Sequence, residues 1–170
     1  VYDAEWLKRG GYDGFGAYEF DGTDDYIQIG KPANMNKGNE ITVIAWIQPQ
    51  SLTSFGRKTI ASKDGFVFTG WSFFKEYYYN GSAWAPRLRT EIDGDVSPGV
   101  DITTGWQQAA FTYNGTHVAI YRNGQLGTTH QNTTYTVNTT EDLKIGAYGA
   151  RGNYWDGRID EVMIFNRTLS

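Results

Sequence analysis

The sequence predicts an all-β fold, a sandwich of two antiparallel sheets, on three observations. Apolar and polar residues alternate with a period of two along most of the chain. Turn signals separate these alternating segments at short, regular intervals. No apolar stripe of helical period extends beyond a single turn. The 170 residues suit one domain with a sizeable core, and about ten to twelve short strands are expected.

The first half of the chain supplies six of the clearest predicted strands, in five segments. One of them, residues 41–49, is apolar on both faces, which predicts burial on both sides or a central position in the sandwich, and Pro49 ends it. In another, residues 86–92, one face is mostly apolar and the other is charged. In chain order the five segments are EFDGTDDYIQIG, which holds two strands and the turn between them, ITVIAWIQP, RKTIASKDG, FVFTGWSFF and PRLRTEIDG.

The second half begins with three strands joined at Asn114-Gly115 and Asn123-Gly124. Asn-Gly is a strong hairpin signal because both central residues of the tight turn take positive φ. The segment LKIGAY predicts a further strand. DGRIDEVMIF predicts the last strand, with three candidate core residues, Ile159, Val162 and Ile164.

Composition argues against several kinds of partner and site. The net charge of −4, without a run of Lys or Arg, argues against nucleic-acid binding. No apolar run approaches the roughly 20 residues of a membrane span. The absence of cysteine excludes disulfides, a thiolate nucleophile and a cysteine zinc site. The two histidines, His117 and His130, give only a weak zinc signal and have no nucleophile motif beside them.

Asn-x-Ser/Thr sequons are unusually common and predict export and glycosylation at the cell surface. Five of the ten asparagines lie in them. The alternative is that Asn, Gly and Thr are simply frequent in β-turns. The candidate glycosylation sites are Asn80, Asn114, Asn132, Asn138 and Asn166.

These strands, in this order, resemble the laminin-G-like, concanavalin A-like jelly-roll domains. The resemblance rests on YEFDGTDDYIQI, ITVIAWIQP, TIASKDG, WQQAAFTYNGTHVAIYRNGQ and, most specifically, DGRIDEVMIFNRTLS. It implies a single domain over residues 1–170. It also implies an opening strand, for which only the short VYDAEW is present, and the lack of an initial Met suggests a piece of a larger protein. If that strand is missing, a neighbouring chain could fill the open edge by strand addition.

The resemblance further implies one structural calcium ion between the first loop and the last strand. The matching positions are Asp21, the carbonyl of Gly22, Asp25 and Asp160. The spacing is not that of an EF-hand, because Tyr26 stands where the loop needs glycine. Asp160 lies in an otherwise apolar strand, so its charge needs a partner or an ion. The alternative is that Asp21 and Asp25 only shape a turn.

A ligand site is predicted where aromatic residues precede an alternating charged strand. Flat rings stack on sugars, while Arg and carboxylate groups bind hydroxyls, so this composition favours glycan binding on a concave sheet. The candidate residues are Tyr78, Trp84, Arg87, Arg89, Glu91 and Asp93. Trp46, Trp106 and Trp155 are instead expected to pack in the core.

Three functions follow, in order of preference. The first is a non-catalytic extracellular module that binds a glycan or a surface protein and holds a structural calcium ion. The second is a structural subunit of a surface assembly or filament, completed by a neighbour's strand. The third is a glycosidase of the same fold, in which Glu91 and Asp95 would form the carboxylate pair.

Overall fold

Fourteen β-strands and one short 3₁₀ turn (Ala33–Asn36) form the regular structure of the described residues, which are 1–36, 38–65, 69–79, 81–149 and 152–169 of this computed structural model. All strand pairings are antiparallel, and the strands form two sheets. The predicted all-β, two-sheet jelly-roll sandwich is therefore confirmed.

The first sheet contains the first and the last strand of the chain order. Its strand order is β1-β2-β14-β4-β10-β11-β12. The strands are β1 (Glu5–Leu7), β2 (Ala17–Asp21), β14 (Asp156–Phe165), β4 (Ile41–Pro49), β10 (Gln107–Tyr113), β11 (His117–Arg122) and β12 (Gln125–Gln131).

The second sheet is built mostly from the middle of the chain, and short strands lie at both of its edges. Its order is β3-β13-β5-β6-β7-β8, with β9 also paired to β7. The strands are β3 (Ile27–Gly30), β13 (Leu143–Ile145), β5 (Gly56–Asp64), β6 (Gly70–Tyr79), β7 (Trp84–Ile92), β8 (Asp95–Val96) and β9 (Val100–Asp101).

The core lies between the inward faces of the two sheets. Phe111 of the first sheet packs edge-on against Phe73 of the second, with ring centroids 5.1 Å apart, and against Trp71 at 5.8 Å. Trp155 is 1% exposed, so its predicted core position is confirmed. Burying aromatic side chains of this size removes a large apolar area from water, which is the main stabilising contribution to the sandwich.

The last strand reaches the core through a β-bulge. Its register against β4 shifts between Asp160 and Met163, and Glu161 there has a φ of 49°. The extra residue lets Ile159, Val162 and Ile164 all contact the core, as predicted, although strict alternation would place Ile159 opposite the other two.

The two Asn-Gly signals give different turns. Asn123 and Gly124 have φ of 52° and 74°, the tight turn predicted from the sequence. At the other position only Gly115 has positive φ, and the loop is longer. There Asn114 Oδ1 accepts hydrogen bonds from the backbone N–H groups of Thr116 and His117. That part of the prediction was wrong because a side-chain acceptor stabilises an alternative turn.

The N-terminal segment forms its own edge strand. β1 pairs with β2, and β2 pairs on its other side with β14. The strand is only three residues long and forms one edge of the first sheet. The outer edge of β2 is thus paired within the chain, by β1.

Two tryptophans predicted to be in the core are not there. Trp46 alternates with the buried Ala45 and Ile47, so its side chain lies on the outward face of the first sheet and is only half-buried. Trp106, just before β10, is also half-buried. The apolar character of residues 41–47 on both faces suggested burial on both sides, but the outward face is covered only in part.

Candidate functional site

An acidic cleft lies where the end of β2 meets the beginning of β14. Its volume is about 490 Å³. Side-chain oxygens of Asp21, Asp24 and Asp25 lie within 4.8 Å of one another. Asp156 lies directly across the sheet from Asp21 and also lines the cleft. Three further carboxylates line it, those of Asp3, Glu5 and Glu19.

Hydrogen bonds within the loop fix part of this acidic set. Asp25 Oδ2 accepts the N–H of Asp21 at 2.8 Å, and Asp21 Oδ1 accepts the N–H of Thr23 at 2.7 Å. Asp25 is 6% exposed, and burial raises the pKa of its carboxyl above the ordinary value. The neighbouring charges of Asp21 and Asp24 act in the same direction. The loop therefore concentrates negative charge around one buried carboxylate.

The donor set of this cleft suits a hard cation. Calcium takes six to eight oxygen ligands, mainly from carboxylates and carbonyls. Asp21 and Asp25 are both present, as the resemblance implied. The Gly22 carbonyl oxygen instead accepts a hydrogen bond from Lys58 Nζ at 3.2 Å, so a cationic side chain already contacts that predicted ligand.

Asp160 is not part of this cleft. Asp21 lies opposite Asp156 in the antiparallel register, so Asp160 is four residues farther along β14. Its Oδ2 accepts the N–H of Tyr12 at 3.1 Å, and its Oδ1 accepts that of Glu161 at 2.9 Å. The prediction that Asp160 joins Asp21 and Asp25 is corrected by this geometry. Two backbone N–H groups supply the partners that its charge requires.

Sequence reasoning missed Asp156, and strand direction could have found it. Antiparallel strands place the end of β2 beside the beginning of β14, so the first acidic residue of the last strand is the one that meets Asp21. The choice of Asp160 came from its place in the family motif. Asp24 was overlooked although it lies between two residues that were chosen.

The predicted ligand residues divide between the two faces of the β6–β7 hairpin. On the outward face of the second sheet, Glu76 lies between Arg57 and Arg89. Its Oε1 is 3.4 Å from Arg57 Nε and its Oε2 is 2.5 Å from Arg89 Nη1. Glu91, 1% exposed, forms an ion pair with Arg57 Nη1. This set of four charges is called the ion network below.

Aromatic rings support the ion network from beneath. The guanidinium of Arg57 lies 4.4 Å from the Phe74 ring centroid, and that of Arg89 lies 4.6 Å from the Tyr78 centroid. Arg89 Nε also donates to the Ser97 carbonyl at 2.8 Å. These contacts hold charged groups in fixed positions on a rigid sheet while leaving their outer edges partly exposed.

Three of the predicted ligand residues lie apart from this network. Arg87 forms an ion pair with Asp101 at 2.7 Å. Asp93 is at the turn after β7, where its carboxylate accepts the N–H groups of Gly70 and Thr136. Trp84 is 51% exposed on the opposite face of the hairpin. There its ring lies 5.2 to 5.7 Å from those of Phe55, Tyr77 and Tyr79.

The carboxylates of the glycosidase hypothesis do not share a face. Asp95 pairs with Ile92, a core residue, whereas Glu91 lies on the outward face. Asp95 Oδ2 is also 2.8 Å from His130 Nε2, while Glu91 is paired with Arg57. The arrangement differs from the facing carboxylates that retaining glycosidases use. His117 is exposed.

Three sequons form the same local structure. In each of Asn114, Asn132 and Asn138, Oδ1 accepts both the N–H and the hydroxyl of the Thr two residues later. Asn132 and Asn138 are 3% and 5% exposed, and their Nδ2 groups donate to the carbonyls of Ile92 and Thr69.

This geometry means that the nitrogen a glycan would occupy at these two buried sites is already used within the fold. Asn114 and Asn166 are exposed. Asn80 lies outside the described residues.

The chain belongs to the concanavalin A-like lectin/glucanase superfamily. A laminin-G family model of this superfamily matches residues 21–170. A comparison with curated proteins found no match. Among the described residues, no helix combines the length and hydropathy that crossing a membrane would require.

Solved structures share the fold at low sequence identity. Domain 4 of the extracellular arabinanase AbnA from Geobacillus stearothermophilus, in complex with arabinotriose, is 19% identical with a TM-score of 0.69; the match covers 100% of this chain and 78% of that one. A heptameric pentraxin from Limulus polyphemus is 15% identical with a TM-score of 0.62, over 89% and 76% of the two chains.

A third similar structure is the CBM40 domain of a Ruminococcus gnavus sialidase bound to sialyllactose. It is 11% identical with a TM-score of 0.62, over 91% of this chain and 93% of that one. Identities this low show a common fold, and the site of each protein has to be argued from its own residues.

Proposed function

We propose that this protein is an exported, non-catalytic carbohydrate-binding module. It binds a glycan, free or on a surface protein, on the outward face of the second sheet. A calcium ion held in the acidic cleft stabilises the fold. The ion network is the observation that carries this proposal.

The ion network is suited to binding hydroxyl groups. Glu76 fixes both arginines in place, so little side-chain entropy remains to be lost when a ligand binds. An arginine carries five N–H donors, and the contacts of Arg89 with Glu76 and Ser97 use only part of its set. Rigid donors and acceptors above aromatic rings are the usual composition of a polar ligand site.

Three observations support the absence of catalysis and the export of the chain. Glu91 is engaged with Arg57 and lies on the opposite face from Asp95, which argues against a paired-carboxylate mechanism. The exposed sequons Asn114 and Asn166 are compatible with glycosylation. The similar AbnA domain comes from an extracellular enzyme and was solved with arabinotriose, and the CBM40 domain with sialyllactose.

Binding can be tested with affinity gels that contain soluble polysaccharides, followed by calorimetry on any that retard the protein. Arg89→Ala should weaken binding about tenfold or more, because it removes both a donor to the glycan and one of the two partners of Glu76. Arg167→Ala, an exposed arginine outside the ion network, serves as the matched loss of charge. Retardation that Arg89→Ala leaves unchanged would place the glycan elsewhere and overturn this assignment.

The calcium ion can be tested by thermal melting with excess calcium or with a chelator. A ligand present at about 100 times its Kd stabilises the folded state by about 2.7 kcal/mol, so calcium should raise Tm by several degrees. Asp25→Asn should abolish this response. Asp160→Asn should retain it, because Asp160 lies outside the cleft. An identical Tm in calcium and chelator would refute the site.

A further inference from the structure

The outward face of the first sheet carries a second cleft of different chemistry. It has a volume of about 430 Å³, within the range of about 300–1,000 Å³ typical of small-molecule sites. No charged side chain of the described residues lines it. Its lining consists of three aromatic residues, two amides and a glycine: Tyr12, Trp46, Trp106, Gln108, Asn123 and Gly124.

The strand register explains why these side chains meet. Trp46 of β4 lies directly opposite Gln108 of β10, so both project from the same face. The backbone N–H of Gln108 donates to Asn123 Oδ1, which holds the tight turn after β11 beside it. Trp106 immediately precedes β10. One side of the cleft is therefore built from rigid strands and a tight hairpin turn.

Tyr12 forms the other side and is placed there by a glycine-rich turn. Its ring stacks on that of Trp46, with centroids 3.2 Å apart and planes 11° from parallel. Its backbone N–H donates to Asp160. A Cβ at Gly11 would lie 2.6 Å from both Asp160 Oδ2 and the Gly16 carbonyl oxygen, so only glycine allows this approach. Tyr12 itself is 50% exposed.

We infer that this cleft is a second carbohydrate site, for a neutral sugar ring. The aromatic faces supply an apolar stacking surface, and the two amide side chains supply hydrogen-bond donors and acceptors at its edge. An uncharged lining favours a neutral sugar over an acidic one, whose carboxylate would have no cation to meet. The site lies on the opposite sheet from the ion network and is independent of it.

The aromatic composition is not explained by the needs of the fold. The inward face of β4 already supplies the buried Val43, Ala45 and Ile47 to the core. Trp46 on the outward face adds apolar surface that remains partly in water. Tyr12 stacks on Trp46 and is itself 50% exposed, and Trp106 lines the same cleft. Three partly exposed rings around one uncharged cleft are characteristic of a ligand surface.

The test is an NMR titration of the isotope-labelled whole chain with arabinotriose, xylotriose, cellotriose and mannotriose. With at least one of these, the indole N–H signals of Trp46 and Trp106 should shift saturably, and should do so equally in Arg89→Ala. Trp106→Ala should weaken that binding about tenfold. Phe15→Ala, an exposed ring in the same glycine-rich turn but outside the cleft lining, should leave it unchanged.

The outcomes separate this inference from the proposed function. Shifts confined to Tyr78, Arg89 and their neighbours would overturn the second site and leave the ion-network site standing. A shift of the Trp46 indole signal that is undiminished in Trp106→Ala would also overturn it, since the sugar would then bind elsewhere. No shift of either indole with any of the four sugars counts against this cleft, whatever the affinity gels show for the other face.

Discussion

The outward faces of the two sheets share one core but differ in how their side chains are stabilised. On the second sheet, Arg57, Glu76 and Arg89 are partly buried and held by each other and by the rings below them. On the first sheet, Tyr12, Trp46 and Trp106 need no ionic partner. Removing one member of the first group takes a partner away from a partly buried charge, whereas removing one ring of the second group only exposes its neighbours to water.

This difference implies that the two faces tolerate substitution differently. The charged face should couple binding to stability, because its ligand groups are also structural. The aromatic face should allow large changes in binding at little structural cost. Each prediction below tests whether the charged face is as dependent on its partners as the structure indicates.

The largest effect is expected for Glu91→Ala. Breaking a buried ion pair by removing one partner typically costs about 3–5 kcal/mol, and the lower end applies here because Arg57 is one quarter exposed and keeps Glu76. The free energy of unfolding from urea titration measures it. Glu19→Ala breaks the exposed pair with Arg158 on the first sheet and should cost no more than about 1 kcal/mol.

A double-mutant cycle with Arg57→Ala sharpens this comparison. The double variant should be less destabilised than the sum of the two single variants, because neither charge is then left alone. Strict additivity would mean that Arg57 and Glu91 do not depend on each other. In that case the ion network would be a set of neighbouring charges without coupling.

The sequence was sufficient for the fold because the fold depends on local patterns that repeat. The alternation of Leu88, Thr90 and Ile92 with charged residues correctly predicted which face of β7 is buried. Trp46 was misplaced because an apolar residue on the outward face gives the same pattern as one buried on both sides. Hydrophobicity alone does not distinguish a ligand surface from a second core.

The sites were harder to predict because they depend on register between distant strands. Asp156 rather than Asp160 meets Asp21, and only the pairing of β2 with β14 shows it. Trp84 was grouped with Arg89 from nearness in sequence, but β7 places the two on opposite faces of the hairpin. Arg57 and Glu76, which complete the ion network, come from two other strands and carried no motif.

A smaller effect, dependent on pH, is expected at Asp64, which lies on the outward face of the second sheet. Asp64 is fully buried, and burial raises the pKa of its carboxyl from 3.8 to about 6, although hydrogen bonds from Tyr148 and Gly65 lower it in part. The folded state therefore binds this proton more tightly than the unfolded state. The corresponding stabilisation is complete below about pH 4 and is lost as the pH rises through about 6, by at most about 3 kcal/mol.

Asp64→Asn should remove this dependence, since an amide is neutral throughout. The decrease in Tm between pH 4.5 and pH 7.5 (both about one unit or more from the pKa of about 6) should be smaller in the variant than in the wild type. Tyr148→Phe should steepen the decrease in Tm with pH. The hydroxyl of Tyr148 donates a hydrogen bond that favours the ionised carboxylate of Asp64, so its removal should raise the pKa of Asp64 further. Parallel pH profiles for all three proteins would show that Asp64 is not a buried charge. The charged face would then resemble the aromatic one in its independence from ionic partners.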